Sequence, residues 1–134
     1  MGLDQYAFAC APSVMHLALI TERELTELER EQLDANRVDL FQWRKHADLN
    51  AWMEQLYRSK GGTEVFNCVP MPLDRADIQA LDDMLATHNA YPEKGAGFFW
   101  GETQPEDIEE DKQFIRMAYN HFDEGWEIYY MCWW

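Results

Sequence analysis

Several things are scarce in this chain, and each scarcity narrows the field. No stretch approaches the roughly 18 consecutive apolar residues of a membrane-spanning helix, so no membrane partnership is expected. The three cysteines, Cys10, Cys68 and Cys132, are odd in number and widely spaced. That excludes a disulfide framework and points to a reducing cytoplasm. Neither a CxxC pair nor an HExxH motif occurs, and His16, His46, His88 and His121 lie far apart. No metal site and no cofactor is therefore expected. Ser13 and Ser59 are the only serines, and neither stands in a Gly-x-Ser-x-Gly elbow, which leaves nucleophilic catalysis without a visible candidate. Bases are outnumbered, 11 against 25 acids, giving a formal net charge of −14. A field of that sign repels phosphate backbones and excludes ordinary nucleic-acid binding. The opening Met1-Gly2-Leu3-Asp4-Gln5 lacks a basic or apolar leader, predicting no export. Tyr6 also stands where a myristoylation motif requires Ser or Thr.

What remains is rich in aromatic and acidic residues. The 134 residues are 47% hydrophobic and 14% aromatic, which fits one globular domain, residues 1–134, able to bury a core without staples. Residues 3–10 alternate loosely and read as a first strand. Thr21 and Glu24 form a capping-box pattern at the head of a helix over 21–34. A second helix is predicted over 39–59, stopped by Gly61-Gly62. Residues 64–69 read as a strand halted by Pro70-Met71-Pro72. Asp74 caps a helix to His88, with Ile78, Leu81 and Leu85 at helical spacing. After a loop at 89–96, Gly97-Phe98-Phe99-Trp100-Gly101 reads as a strand. Thr103-Gln104-Pro105-Glu106 opens the last helix in capping-box form. The acids at 106–111 are placed to complement the positive end of that helix, and their spacing is not that of a Ca²⁺ loop. Gly125 ends the helix before Trp126-Glu127-Ile128-Tyr129-Tyr130-Met131-Cys132-Trp133-Trp134, a terminal strand that is apolar on both faces. Such a strand takes a central position in a sheet or lies at an interface, with a partner or with a second copy in a homodimer. The order implies an α+β fold, a small sheet of about four strands, mostly antiparallel, packed against about four helices.

Placed on a helical wheel, residues 39–59 collect Phe41, Trp43, Leu49, Trp52, Met53, Leu56 and Tyr57 in one sector. Lys45, His46 and Asn50 fall inside that sector. Buried polar groups must find partners. Either these three bond to their surroundings, or the helix walls a pocket and they point into it. Trp43 and Trp52 in that sector, Phe99 and Trp100, and on the terminal strand Tyr129, Trp133 and Trp134, are the aromatic candidates for a pocket or partner surface.

The segments Met1-Gly2-Leu3-Asp4-Gln5-Tyr6, Trp43-Arg44-Lys45 with Trp52 nine residues on, Gly97-Phe98-Phe99-Trp100-Gly101 and Tyr129-Tyr130 to Trp134 occur in this order. So arranged, the chain resembles a family of small uncharacterised proteins encoded by bacteriophages and prophages. The resemblance spans nearly the whole chain, and its motifs are structural. It implies a phage origin and the cytoplasm of an infected bacterial host. Members often follow Trp-Arg-Lys with Asn and then His; Ala47 and Asn50 stand in those places here, so nothing resting on that pair carries over. Some relatives are labelled phosphoglycerate kinase, but this chain is far too short for a two-domain kinase and has no phosphate-cradling glycine loop.

Two functions are compatible with this pattern. The first is a non-enzymatic accessory protein that binds a host or phage protein through acidic and aromatic surface. The alternative is a small-molecule binder or small enzyme, with its pocket between the 39–59 helix and the aromatic strands.

Overall fold

The computed structural model describes residues 2–92 and 103–134. Its elements run β1 (Asp4–Cys10), a short turn of 3-10 helix (Pro12–Val14), α1 (Met15–Ala18), α2 (Glu27–Ala35), β2 (Arg37–Arg44), α3 (Ala47–Ser59), β3 (Met71–Leu73), α4 (Arg75–His88), α5 (Pro105–Asp123) and β4 (Glu127–Trp133). The four strands form one antiparallel sheet in the order β2-β1-β4-β3. With five helices beside it among the described residues, this is the α+β fold expected. β4 lies between β1 and β3, which accounts for its two apolar faces.

Several boundaries differ from expectation. Residues 37–44 are a strand, and α3 begins only at Ala47. A bulge explains the misreading. Ala7 pairs with Phe41 and Phe8 with Asp39, so Leu40 is an extra residue in β2. One inserted residue breaks the period-2 alternation, and the apolar positions 40, 41 and 43 then imitate helical spacing. Residues 64–69 form no strand: the chain turns at Asn67, whose N–H donates to Val65 O at 2.8 Å, and Cys68 has a φ of 61°. The strand is instead β3, through Pro72, which sequence expects as a stop. Proline is tolerated there because β3 is the sheet edge. The helix expected from Thr21 starts at Glu27, capped by Thr26 in a box with Glu29. The cap of α5 falls one residue late, at Gln104, whose N–H donates to Asp107 Oδ2 at 2.6 Å. The strand expected at 97–101, with Phe99 and Trp100, lies outside the described residues.

Other signals are obeyed. Asp74 and Asp77 form a reciprocal cap on α4, and Asn89, at φ 48°, closes it. Gly61 takes a φ of 90° after α3, and a Cβ on Gly62 would meet the Tyr57 ring at 2.3 Å.

The main core lies between the inner face of the sheet and helices α3, α4 and α5. It includes Ala7, Ala9, Trp43, Met53, Leu81, Phe114, Ile128 and Tyr130. A smaller cluster of Cys10, Val14, Met15, Leu17, Leu33 and Tyr129 packs α1 and α2 onto one end of the outer face.

Candidate functional site

Strand alternation sends Gln5 inward with Leu3, Ala7 and Ala9, and its neighbours across the sheet are Trp43 and Cys132. After β2 the chain reverses at Lys45, whose φ of 60° is left-handed and whose N–H donates to Leu3 O at 2.8 Å. The turn leaves Lys45 exposed and carries His46 fully inside, as the cap of α3. The Gln5 amide clamps the His46 main chain from both sides. Its Nε2 donates to His46 O at 3.0 Å, and its Oε1 accepts from His46 N at 2.9 Å. Nε2 also donates to the Tyr130 hydroxyl at 3.0 Å, which donates to Asn50 Oδ1 at 2.7 Å. Asn50 Nδ2 makes no close hydrogen bond to an N or O atom among the described residues. Its influence reaches the Cys132 thiol, which burial pushes up to about 12 against a smaller downward pull from Asn50.

The imidazole of His46 is tied at both nitrogens. Nε2 lies 2.6 Å from Asp111 Oδ2, and Nδ1 lies 3.0 Å from Thr103 Oγ1. Leu49 N–H also points at Nδ1, at 3.5 Å. A carboxylate at one end and an N–H donor at the other assign the ring proton to Nε2, leaving Nδ1 to accept. Asp111, fully buried on α5, receives two further hydrogen bonds, from Trp43 Nε1 at 2.9 Å and from the Tyr91 hydroxyl at 2.6 Å. Burial first, and then the Asp111 carboxylate, hold the Tyr91 phenol well above its ordinary pKa. Burial likewise raises Tyr130 well above its ordinary value. The Tyr91 ring meets the His46 ring edge-on at 5.3 Å.

The structure thus joins three of the sequence candidates, Trp43, His46 and Asn50, and separates the other described ones. Lys45 is exposed, and Trp52 is half-buried against the core. Tyr129, Trp133 and Trp134 lie elsewhere. Sequence reasoning misses Gln5, Tyr91, Thr103, Asp111 and Tyr130 as members of the network. Asp111 carries a readable signal, since it sits on the buried stripe of α5 with Ile108, Ile115 and Ala118.

The outer face of the sheet presents a different surface. Tyr6 stacks on Phe8 at 6.0 Å and Phe8 on Tyr129 at 5.1 Å, with the Arg37 guanidinium 4.9 Å over Phe8. Arg37 also donates to the Tyr129 hydroxyl at 3.1 Å. Helices α1 and α2 cover the Phe8–Tyr129–Cys10 end. Further along, Tyr6 and Met131, which pair across β1 and β4, are half-buried, and Trp133 is 60% exposed. Trp134 is anchored: its N–H donates to Asn67 Oδ1 at 3.0 Å, its carbonyl accepts from Asn67 Nδ2 at 2.9 Å, and its indole donates to Phe66 O at 2.8 Å. Val65, two residues before Asn67, is 67% exposed.

The surface carries several concave features. A cleft of about 170 Å³ borders the buried network, lined by Asp48, Asn89, Tyr91, Thr103, Gln104 and Ile108 among others. A larger cavity of about 420 Å³ lies among Met15, Leu73, Phe122 and Trp126, flanked by Lys60 and Arg75, which pair with Asp77 and Asp123. Among the described residues no group of three His, Cys, Asp or Glu side chains is gathered to hold a metal ion, and no helix is long and apolar enough to cross a membrane.

Comparison with protein-family models, with curated proteins and with solved structures finds no match to this chain.

Proposed function

We propose that this chain is a phage-encoded accessory protein that binds a basic host or phage protein through the uncovered half of its outer sheet face. The observation that carries the reading is the apolar strip of Tyr6, Met131 and Trp133, which no helix among the described residues covers. Trp134 and Val65 extend it at the rim. Surface Trp, Tyr and Met favour the centre of an interface, because they bury large areas at little conformational cost. The net charge of −14 supplies long-range attraction for a basic partner. It also makes two copies of this chain repel, which favours a different protein over a homodimer. The polar network lies under α3 and α5, on the other side of the sheet, and takes no part in this contact.

The test compares tagged wild-type protein with a Tyr6→Ser/Trp133→Ser variant in pull-downs from bacterial host lysate, at low and high salt, with mass-spectrometric identification. A basic protein held by the wild type, weakened by salt and lost from the variant is the expected result. Identical captured sets from the two proteins would overturn the assignment to this face.

A further inference from the structure

Thr103 lies where the buried network meets the surface. The late cap of α5 leaves its side chain out of the helix, and its hydroxyl turns inward to His46 Nδ1 at 3.0 Å. Oγ1 also accepts from Asp48 N–H at 3.1 Å, in the first turn of the 13-residue helix α3. Because Nδ1 accepts, the Thr103 proton points along the Oγ1–Nδ1 line. A continuous chain results: Thr103 hydroxyl, His46 ring, Asp111 carboxylate. This is the order of groups by which a hydroxyl is made nucleophilic, a base to take its proton and an acid to orient that base. The ring is reversed relative to the commoner arrangement, with Nδ1 rather than Nε2 towards the hydroxyl. Two N–H···O bonds from Gln5 and His46 main-chain atoms hold the ring's backbone in place. Asp111 is fixed by Trp43 and Tyr91.

Thr103 itself reaches the surface. Thr103 is only partly buried and forms part of the wall of the 170 Å³ cleft. Since a water occupies about 30 Å³ of liquid, that space holds about six groups of such size. A short acyl chain fits it. Asp48 N–H, at the positive end of α3, holds Oγ1 in place and leaves its proton directed at Nδ1.

We propose that Thr103 is an activated hydroxyl that accepts short acyl groups from esters, with His46 as its general base and Asp111 as the positioning residue. Oγ1 adds to the ester carbonyl as its proton passes to Nδ1. The bond from the carbonyl carbon to the leaving oxygen then breaks, and that oxygen takes the proton from Nδ1. The acyl-threonine ester is released by water, whose proton moves to Nδ1 and on to Oγ1 as the carboxylic acid departs. No oxidant, metal or cofactor enters the balance. The inference is independent of partner binding, which belongs to the opposite face of the sheet.

The test uses the whole chain and 4-nitrophenyl acetate. Wild-type protein and Thr103→Ser should release nitrophenolate, with the acetyl group mapped to residue 103 by peptide mass spectrometry after rapid acid quench. Thr103→Val, close in shape, should fall by about a hundredfold, at the lower end of what a positioned base contributes. Asp111→Asn should lower kcat with KM unchanged, a split that a general loosening of the fold would not produce. Circular dichroism establishes that each variant is folded. Equal release by wild type and Thr103→Val, or acetyl groups found only on lysines or Cys68, would overturn the proposal.

Discussion

The Tyr130 hydroxyl serves two partners in the interior, accepting from Gln5 and donating to Asn50. Tyr130→Phe keeps the ring and its packing but leaves Asn50 Oδ1 without its donor. A buried group so abandoned costs about 1–3 kcal/mol, and the midpoint of urea unfolding should fall accordingly. The three cysteines give a second check. Burial pushes the Cys10 thiol up to about 11, with Glu127 adding to it, and the Cys132 thiol up to about 12, whereas Cys68 is exposed. Only the thiolate reacts, so a disulfide reagent at mild alkaline pH should label Cys68 rapidly in the native protein and Cys10 and Cys132 only after denaturation. At this scale the sequence is legible wherever a polar residue interrupts an apolar pattern. His46 and Asn50 are readable as inward-facing even on a wrongly assigned element, because the interruption reports burial, whichever period governs it. Lys45 breaks the rule because a left-handed turn aims it outward. Tyr91 and Thr103 join the network only through chain reversal in three dimensions, which no local pattern records.

At the scale of elements, the chain carries two Thr-x-x-Glu boxes five residues apart, Thr21 with Glu24 and Thr26 with Glu29, and the structure uses the second. Thr26 Oγ1 accepts from Glu29 N–H at 3.2 Å and Glu29 Oε1 accepts from Thr26 N–H at 2.9 Å. Arg23 grips the same carboxylate with both guanidinium nitrogens, at 2.7 and 2.9 Å. That fork is the local information that decides between the boxes. Thr26→Ala should destabilise the protein by about 1 kcal/mol, the ordinary worth of an N-cap, while Thr21→Ala should change little; parallel urea titrations decide it. Arg23 first, and then Thr26, hold Glu29 at about 2, against an ordinary 4.5. A depressed carboxylate stabilises the fold fully above its unfolded value and loses that contribution as pH falls through the folded one. The stabilisation that Glu29 adds should therefore be intact above pH 4.5 and fade as the pH drops towards about 2, visible as a narrowing stability gap between wild type and Glu29→Gln. The α+β class and helix α4 are readable because periodicity and caps agree there. β2 is not, because its bulge erases the alternation that marks a strand.

At the scale of the whole molecule, the sheet divides the protein into two unlike sides: helices and a buried polar network on one, a half-covered aromatic face on the other. That division permits partner binding and hydroxyl chemistry to be tested separately, since Trp133 and Thr103 lie on different sides. It also leaves two rims, β2 and β3. On β3 a single residue, Pro72, turns its backbone outward; it has no N–H, and its carbonyl is occupied by Lys60 Nζ at 2.8 Å. An incoming strand finds neither donor nor acceptor along that side, the usual way in which a native sheet refuses to act as a template. Among the described strands, fibrous self-association is therefore left to β2, and the proline that looks like a break in the sequence is what keeps the opposite rim closed to it.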